Sequence, residues 1–183
     1  MHLACSGRVK GVHFGIPCTT WSALWTMNGG TRRASMPLGD GSCPRENEGN
    51  KQVTWMLRVI QEVKRRGGFY TVENPQGSMI WNHPGVRRLI TNGTLSTTFH
   101  QCMYGLTSPA GVEPREIWYK PTTFLHNKPS FAAMERRCNA SHTHTRVLGT
   151  CCLKGKAVHR PKLAGRYPVQ MVSQYAACAS VLF

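Results

Sequence analysis

Residues 50–75 constrain this chain more than any other stretch. Val53, Met56, Leu57, Ile60 and Val63 recur at three- and four-residue steps, so a helix over 50–66 has one apolar face. Lys64, Arg65 and Arg66 fall in its last turn, where cations complement the carbonyl end of the helix dipole, and Gly67-Gly68 stop it. Phe69-Tyr70-Thr71-Val72 is rich in β-formers and reads as a buried strand ending at Glu73-Asn74-Pro75. Upstream, residues 8–16 alternate weakly and end at Pro17, which reads as a strand running into a loop. Strand, loop, helix and strand in that order mark an α/β fold, here expected as a mostly parallel sheet with flanking helices.

The rest of the chain extends this reading. Residues 23–49 are rich in Gly, Pro, Ser and Arg without an apolar period, and are expected to form a long mobile loop. A short helix is expected over 84–91, with Pro84 in its first turn and Asn92-Gly93 at its end. A strand is expected over 95–100, and another over Ile117 to Leu125 with Pro121 weakening its centre. The basic stretch 150–166 reads as a loop or tail, and Tyr167 to Leu182 as a final amphipathic helix. No internal repeat is visible, and residues 1–183 are expected to form one domain with a motif-bearing core over 8–150.

Hydrophobic residues make up 40% of the 183, far above the disordered range. No run approaches the ~18 apolar residues that cross a bilayer, so no membrane partner is expected. The opening Met1-His2-Leu3-Ala4-Cys5 lacks the charged and long apolar regions of a secretion leader. The expected location is therefore intracellular, nucleus or cytoplasm, with the eight cysteines reduced. Lys and Arg number 23 against 8 Asp and Glu, a formal charge of +15, and Asp40 is the one aspartate. Such an excess favours polyanions, because each neutralised phosphate releases counterions, and nucleic acid is the expected partner.

Cys18 is the leading candidate for chemistry. It follows Pro17 at the end of an expected strand, where ligands bind in α/β folds, and Thr19-Thr20 begin a turn whose N–H groups favour a thiolate. The plain alternative is a small buried hydrophobe. Glu73 also ends an expected strand, and two strand ends of a parallel sheet face one side, so the two residues are expected to share a cleft. Cys138, His142 and His144, joined by Cys151 or Cys152, supply four candidate zinc ligands, but their spacing matches no standard finger and favours structural or phosphate-binding histidines. Arg32, Arg33, Arg87 and Arg88 are expected to contact nucleic acid, alongside aromatic loop residues suited to stacking on bases. A glycine-rich strand-to-helix loop of the G-x-G-x-x-G kind is absent.

Taken in order, these residues resemble the second half of a cytosine-C5 DNA methyltransferase catalytic domain. Pro17-Cys18 matches the family's nucleophile motif, and Glu73-Asn74 its Glu-Asn dipeptide at the end of the following strand. More specifically, the chain is similar to a divergent branch found in phage proteins and mobile-element polyproteins. That branch has Pro-Cys-x-x-Trp/Phe-Ser, here Pro17 to Ser22, and Glu-Asn-Pro-x-x-Ser-x-x-Trp, here Glu73 to Trp81. It continues with Gln-Cys-x-Tyr-Gly at Gln101 to Gly105, Lys-Pro-Thr at Lys120 to Thr122, and His-x-His-x-x-x-x-Gly at His142 to Gly149.

The resemblance implies an incomplete Rossmann-like methyltransferase fold that lacks the cofactor-binding first half. It implies that Cys18 attacks C6 of a flipped cytosine while Glu73 holds N3 and the exocyclic amine. It places Pro17, Ser22, Asn74, Pro75, Gln101 and Lys120 around the substrate, with the basic loop closing over them. S-adenosylmethionine is the cofactor the family implies, yet its binding motif is missing here, which points to a separate N-terminal cofactor-binding half as a partner. The arginines usual after the Gln-x segment are also missing from Gln101-Cys102-Met103-Tyr104. Descent is thus implied more strongly than activity of this chain alone. The competing readings are a non-catalytic basic nucleic-acid-binding module derived from a mobile element, and a zinc-stabilised interaction domain.

Overall fold

A computed structural model describes residues 8–181. The leaderless reading of Met1 to Cys5, and the last residue of the expected final helix, Leu182, lie outside them. The chain groups into two compact units, one drawing on the chain up to Ser96 and on Thr123–Pro129, the other on Thr97–Thr122 and the chain from Ser130.

The first unit opens with β1 (Gly11–Gly15), a 3-10 turn (Thr19–Trp21) and the short helix α1 (Ala23–Met27). Then come α2 (Pro44–Arg65), β2 (Phe69–Pro75), a second 3-10 turn (Met79–Asn82) and α3 (Pro84–Thr91). The boundary between units falls within β3 (Leu95–His100) and, after β4 (Trp118–Tyr119), within β5 (Pro121–His126). The second unit continues with β6 (Thr145–Arg146), β7 (Thr150–Leu153), β8 (Lys156–His159), α4 (Arg160–Leu163) and α5 (Val169–Ser180).

The fold is α/β, but its four-stranded sheet, ordered β1-β2-β5-β3, is mixed rather than mostly parallel. β1 and β2 are parallel, with Gly11 beside Phe69 and Gly15 beside Glu73. Asn127, just past β5, accepts from the Tyr70 N–H and donates to the Gly68 carbonyl, so the end of β5 meets the start of β2 and the two run antiparallel. The Gln101 N–H, just past β3, donates to the Lys120 carbonyl before β5, which sets that pair antiparallel too. The sequence pattern covered only the strand–helix–strand start, and the direction of later strands depends on connections it does not encode.

Behind β1 and β2 lies the first unit's core, where Val53, Met56, Ile60 and Val63 of α2 meet Phe14, Tyr70 and Val72. Each such side chain stabilises the fold by roughly 1.5–3 kcal/mol when fully buried. The helix starts six residues before the expected position 50, at Pro44. Its first turns bury Glu46 and Gly49 instead of apolar residues, which is why periodicity misses them.

Residues 23–49 are correspondingly not one structureless loop. Glu46 accepts hydrogen bonds from Trp25 Nε1 (2.7 Å), the Thr31 N–H (2.8 Å) and the Thr31 hydroxyl. Burial pushes the Glu46 pKa up, yet the hydrogen bonds from Thr31 and Trp25 outweigh it and hold the carboxyl below its ordinary range. Gly39 has φ +76° and a Cβ there would run into the Glu46 carboxylate, so glycine is required.

The stretch 150–166 also departs from expectation: it folds as the β7–β8 hairpin followed by α4. Lys154 (φ +49°) and Gly155 (φ +76°) make a two-residue turn of the hairpin-forming I′ type. Lys-Gly is not the usual Asn-Gly signal, and the strands around it are only four residues long. Among the described residues, no helix is long and apolar enough to cross a membrane.

Candidate functional site

Pro17 carries the chain from β1 to Cys18, which is exposed and begins the first 3-10 turn. The Cys18 carbonyl accepts from the Trp21 N–H at 3.0 Å. Trp21 itself is fully buried and carries the Arg32 guanidinium 3.4 Å above its ring. Gly49 makes room for this stack, since a Cβ there would press on Thr20 and on the Arg32 guanidinium. The turn is therefore pinned from beneath by an indole while the thiol stays at the surface. Ser22, expected to bind substrate, caps α1 by accepting from the Trp25 N–H at 3.3 Å and donates to the Thr19 carbonyl.

Glu73 lies beside Gly15 in the parallel register, three residues before Cys18, and is only 7% exposed. Asn74 is fully buried and donates from Nδ2 to the Ile16 carbonyl at 2.8 Å, which ties the two strand ends together. Its Oδ1 is buried with no hydrogen-bond partner among the described residues. The Pro75 carbonyl accepts from the Ser78 N–H (2.9 Å) and from Trp81 Nε1 (2.9 Å), and the Ser78 hydroxyl accepts from the Ile80 N–H. The Glu-Asn-Pro-x-x-Ser-x-x-Trp spacing thus encodes a closed turn that fixes the end of β2. His83, which sequence reasoning passed over, caps α3 through Nδ1 and makes a T-shaped ring contact with Trp21.

The four expected nucleic-acid contacts divide. Arg33, Arg87 and Arg88 are exposed. Arg32 is not: it is fully buried, donating to the Asn50 side chain and to the Pro37 and Glu46 carbonyls. Its charge is spent on organising the turn after Cys18, which corrects its assignment as a nucleic-acid contact. A buried cation and a surface one look alike in a Gly- and Ser-rich sequence.

Gln101 and Lys120 belong to the second unit and are engaged there. Gln101 is fully buried and donates from Nε2 to the Thr122 hydroxyl at 2.9 Å, and Lys120 Nζ donates to the Ala164 carbonyl at 3.1 Å.

The same unit gathers Cys102, Cys138, His142 and His144, whose Sγ and ring nitrogen atoms all lie within 4.8 Å of one another. The 3-10 turn after β3 supplies Cys102. The Cys138 N–H donates to His100 Nδ1 at 3.0 Å, and β6, paired with β4, places the His144 ring against Tyr119. Burial, together with the neighbouring Cys138, pushes the Cys102 thiol up to about 11. Sequence reasoning named three of these residues but sought the fourth in Cys151 or Cys152. Cys151 lies in the β7–β8 hairpin with its thiol on the Val158 carbonyl, and Cys152 is exposed. The missed signal was the cysteine of Gln101-Cys102-x-Tyr-Gly.

Among the described residues, the loops that follow β1 and β2 do not fit S-adenosylmethionine. The loop after β1 carries Pro17-Cys18, that after β2 carries the Pro75 turn, and neither is the glycine-rich cradle a nucleotide-like cofactor needs. In comparisons with known proteins, the chain matches no protein-family model and no curated protein.

Proposed function

We propose that the first unit is the target-base half of a cytosine-C5 DNA methyltransferase-like domain, in which Cys18 adds to a cytosine held by Glu73. One observation carries this reading: the parallel register puts a buried carboxyl-bearing side chain beside the strand residue that leads into an exposed thiol. The Asn74-to-Ile16 bond and the buried Trp21 support it by fixing both strand ends before any ligand arrives.

The chemistry within reach of these residues is reversible conjugate addition. The Cys18 thiolate bonds to C6 of a cytosine turned out of its stack, and the C5–C6 double-bond electrons shift toward N3, which Glu73 protonates. The resulting enamine is nucleophilic at C5 and takes a proton there from water. Loss of the original C5 hydrogen, return of the N3 proton to Glu73 and expulsion of Cys18 restore cytosine. No methyl donor enters this cycle.

The test is exchange of the C5 hydrogen of deoxycytidine in a DNA oligonucleotide, followed by mass spectrometry in deuterated water. Exchange is expected with the unaltered chain, lost in Cys18→Ala, and slowed at least about 100-fold in Glu73→Gln, within the range of a removed acid–base group. An unaltered chain that binds DNA but exchanges no C5 hydrogen would remove the catalytic reading. The second reading, a basic nucleic-acid-binding module without chemistry, is favoured by the +15 charge and the exposed Arg33, Arg87 and Arg88. It would then stand if Cys18→Ala bound as the unaltered chain does and affinity fell steeply with salt.

A further inference from the structure

We propose that Cys102, Cys138, His142 and His144 bind one zinc ion in a closed tetrahedral site that anchors the segment around residues 136–146. The distances fit that geometry. Cys138 Sγ lies 3.6 Å from His142 Nε2 and 3.5 Å from His144 Nε2, and Cys102 Sγ lies 3.4 Å from His144 Nε2. Zinc–sulfur bonds of about 2.3 Å and zinc–nitrogen bonds of about 2.0–2.1 Å at a tetrahedral angle give sulfur-to-nitrogen edges of about 3.5–3.6 Å. Two thiolates and two imidazoles are also the donor set that selects zinc over magnesium or calcium.

Hydrogen bonding alone does not account for the convergence. An imidazole Nε2 has one in-plane hydrogen-bonding position, yet His144 Nε2 faces both Cys102 and Cys138. A thiol has one hydrogen, yet Cys138 Sγ meets two imidazole nitrogens and, at 3.3 Å, the Ala140 N–H. One cation at the common centre satisfies all four ligand atoms at once. The Ala140 N–H then supplies the donor that a metal-bound thiolate favours. Ala140 takes φ +59° to make that contact, a left-handed conformation a non-glycine residue seldom adopts.

The surroundings show what the ion would do. No residue from Glu135 to Thr150 is buried, and His142, His144 and Cys138 are only half-buried. Val147, past the last of the four ligands, packs partly buried against Leu106, Trp118 and Ala164, whereas Cys102 is buried just past β3. Four protein ligands leave no open position for substrate, so the site is structural rather than catalytic.

The experiment uses the full chain stripped of metal with a chelator and titrated with cobalt(II), then zinc. One cobalt per chain is expected, with thiolate-to-metal charge-transfer absorption and the intense bands of a tetrahedral site, displaced by one zinc. Cys102→Ser and His144→Ala should each weaken zinc by more than about 100-fold, since even outer-shell partners cost up to that much. Cys151→Ser and Cys152→Ser should leave affinity unchanged. Should the ligand variants fail to fold, hydrogen exchange of the unaltered chain decides: zinc is expected to slow exchange across residues 136–146. Absence of stoichiometric tetrahedral cobalt, zinc affinity indifferent to Cys102→Ser, or exchange indifferent to zinc would overturn the proposal. None of these readouts involves Cys18, so failure here leaves the base-addition reading untouched, and the reverse holds.

Discussion

Cys18 and Glu73 are placed by backbone: two parallel strands in register, an indole beneath one strand end, and a buried amide joining both. Cys102, Cys138, His142 and His144 are placed by one another, drawn from a turn, an irregular stretch and the approach to a two-residue strand. The first arrangement rests on apolar burial that exists without a ligand. The second lies where no residue from Glu135 to Thr150 is fully buried. The difference teaches that a rigid site can be built from secondary structure or from coordination, and that each fails under a different insult.

Removing the indole under Cys18 is the severest way to break this contrast. Trp21→Ala empties a fully buried aromatic position and leaves the Arg32 guanidinium without its stacking surface, at an expected cost of about 3–5 kcal/mol. Urea unfolding monitored by circular dichroism measures that loss. Under conditions where the variant remains folded, its cobalt spectrum should match that of the unaltered chain. A Trp21→Ala protein that no longer takes up cobalt would mean that the two regions share a support.

Acid sharpens the comparison with a smaller effect. Burial, reinforced by Arg32 and Arg88, lowers the pKa of His83 from 6.5 to about 4. Between those values the unfolded chain binds a proton that the native chain refuses. The stability linked to neutral His83 is therefore complete above pH 6.5 and is lost as pH falls toward 4, by up to roughly 3 kcal/mol. Protonation also removes the acceptor that caps α3 at the Gly85 N–H. His83→Asn keeps a capping acceptor without the titration, so its stability measured from pH 7 to pH 4 should fall less steeply. His126, lowered for the same reason of burial, leaves a residual slope. An unchanged slope in His83→Asn would place the acid sensitivity elsewhere.

What the sequence disclosed follows the same division. The apolar face of α2, the Gly67-Gly68 stop, and the strands ending at Gly15 and Pro75 follow local patterns of burial, so α3 and β3 also fall where spacing puts them. Glu46, Gly49 and Arg32 escaped because they are buried in polar company, and hydrophobic period is blind to that. Cys102 escaped because it lies far along the chain from Cys138, and no local spacing reports a meeting made by the path of the chain. The antiparallel course of β5 escaped for the same reason, since Asn127 meets Gly68 and Tyr70 only after the intervening chain has turned back.

The smallest expected effect concerns the exposed arginines, and it separates them from the buried one. Arg87→Ala and Arg88→Ala remove charge from an exposed face of α3, so stability should move by less than about 0.5 kcal/mol in each. If these residues meet phosphates, each substitution should make the slope of log affinity against log salt shallower by about 0.9 on duplex DNA, with little dependence on base sequence. Arg32→Ala is the internal contrast: it should destabilise the fold outright, because Glu46, Asn50 and the Trp21 ring lose the cation that joins them. Fluorescence anisotropy across a salt series, paired with urea unfolding, distinguishes the two classes. A salt slope unchanged in the Arg87→Ala, Arg88→Ala double variant would take α3 out of the proposed DNA interface and confine that proposal to Arg33 and the remaining basic stretches.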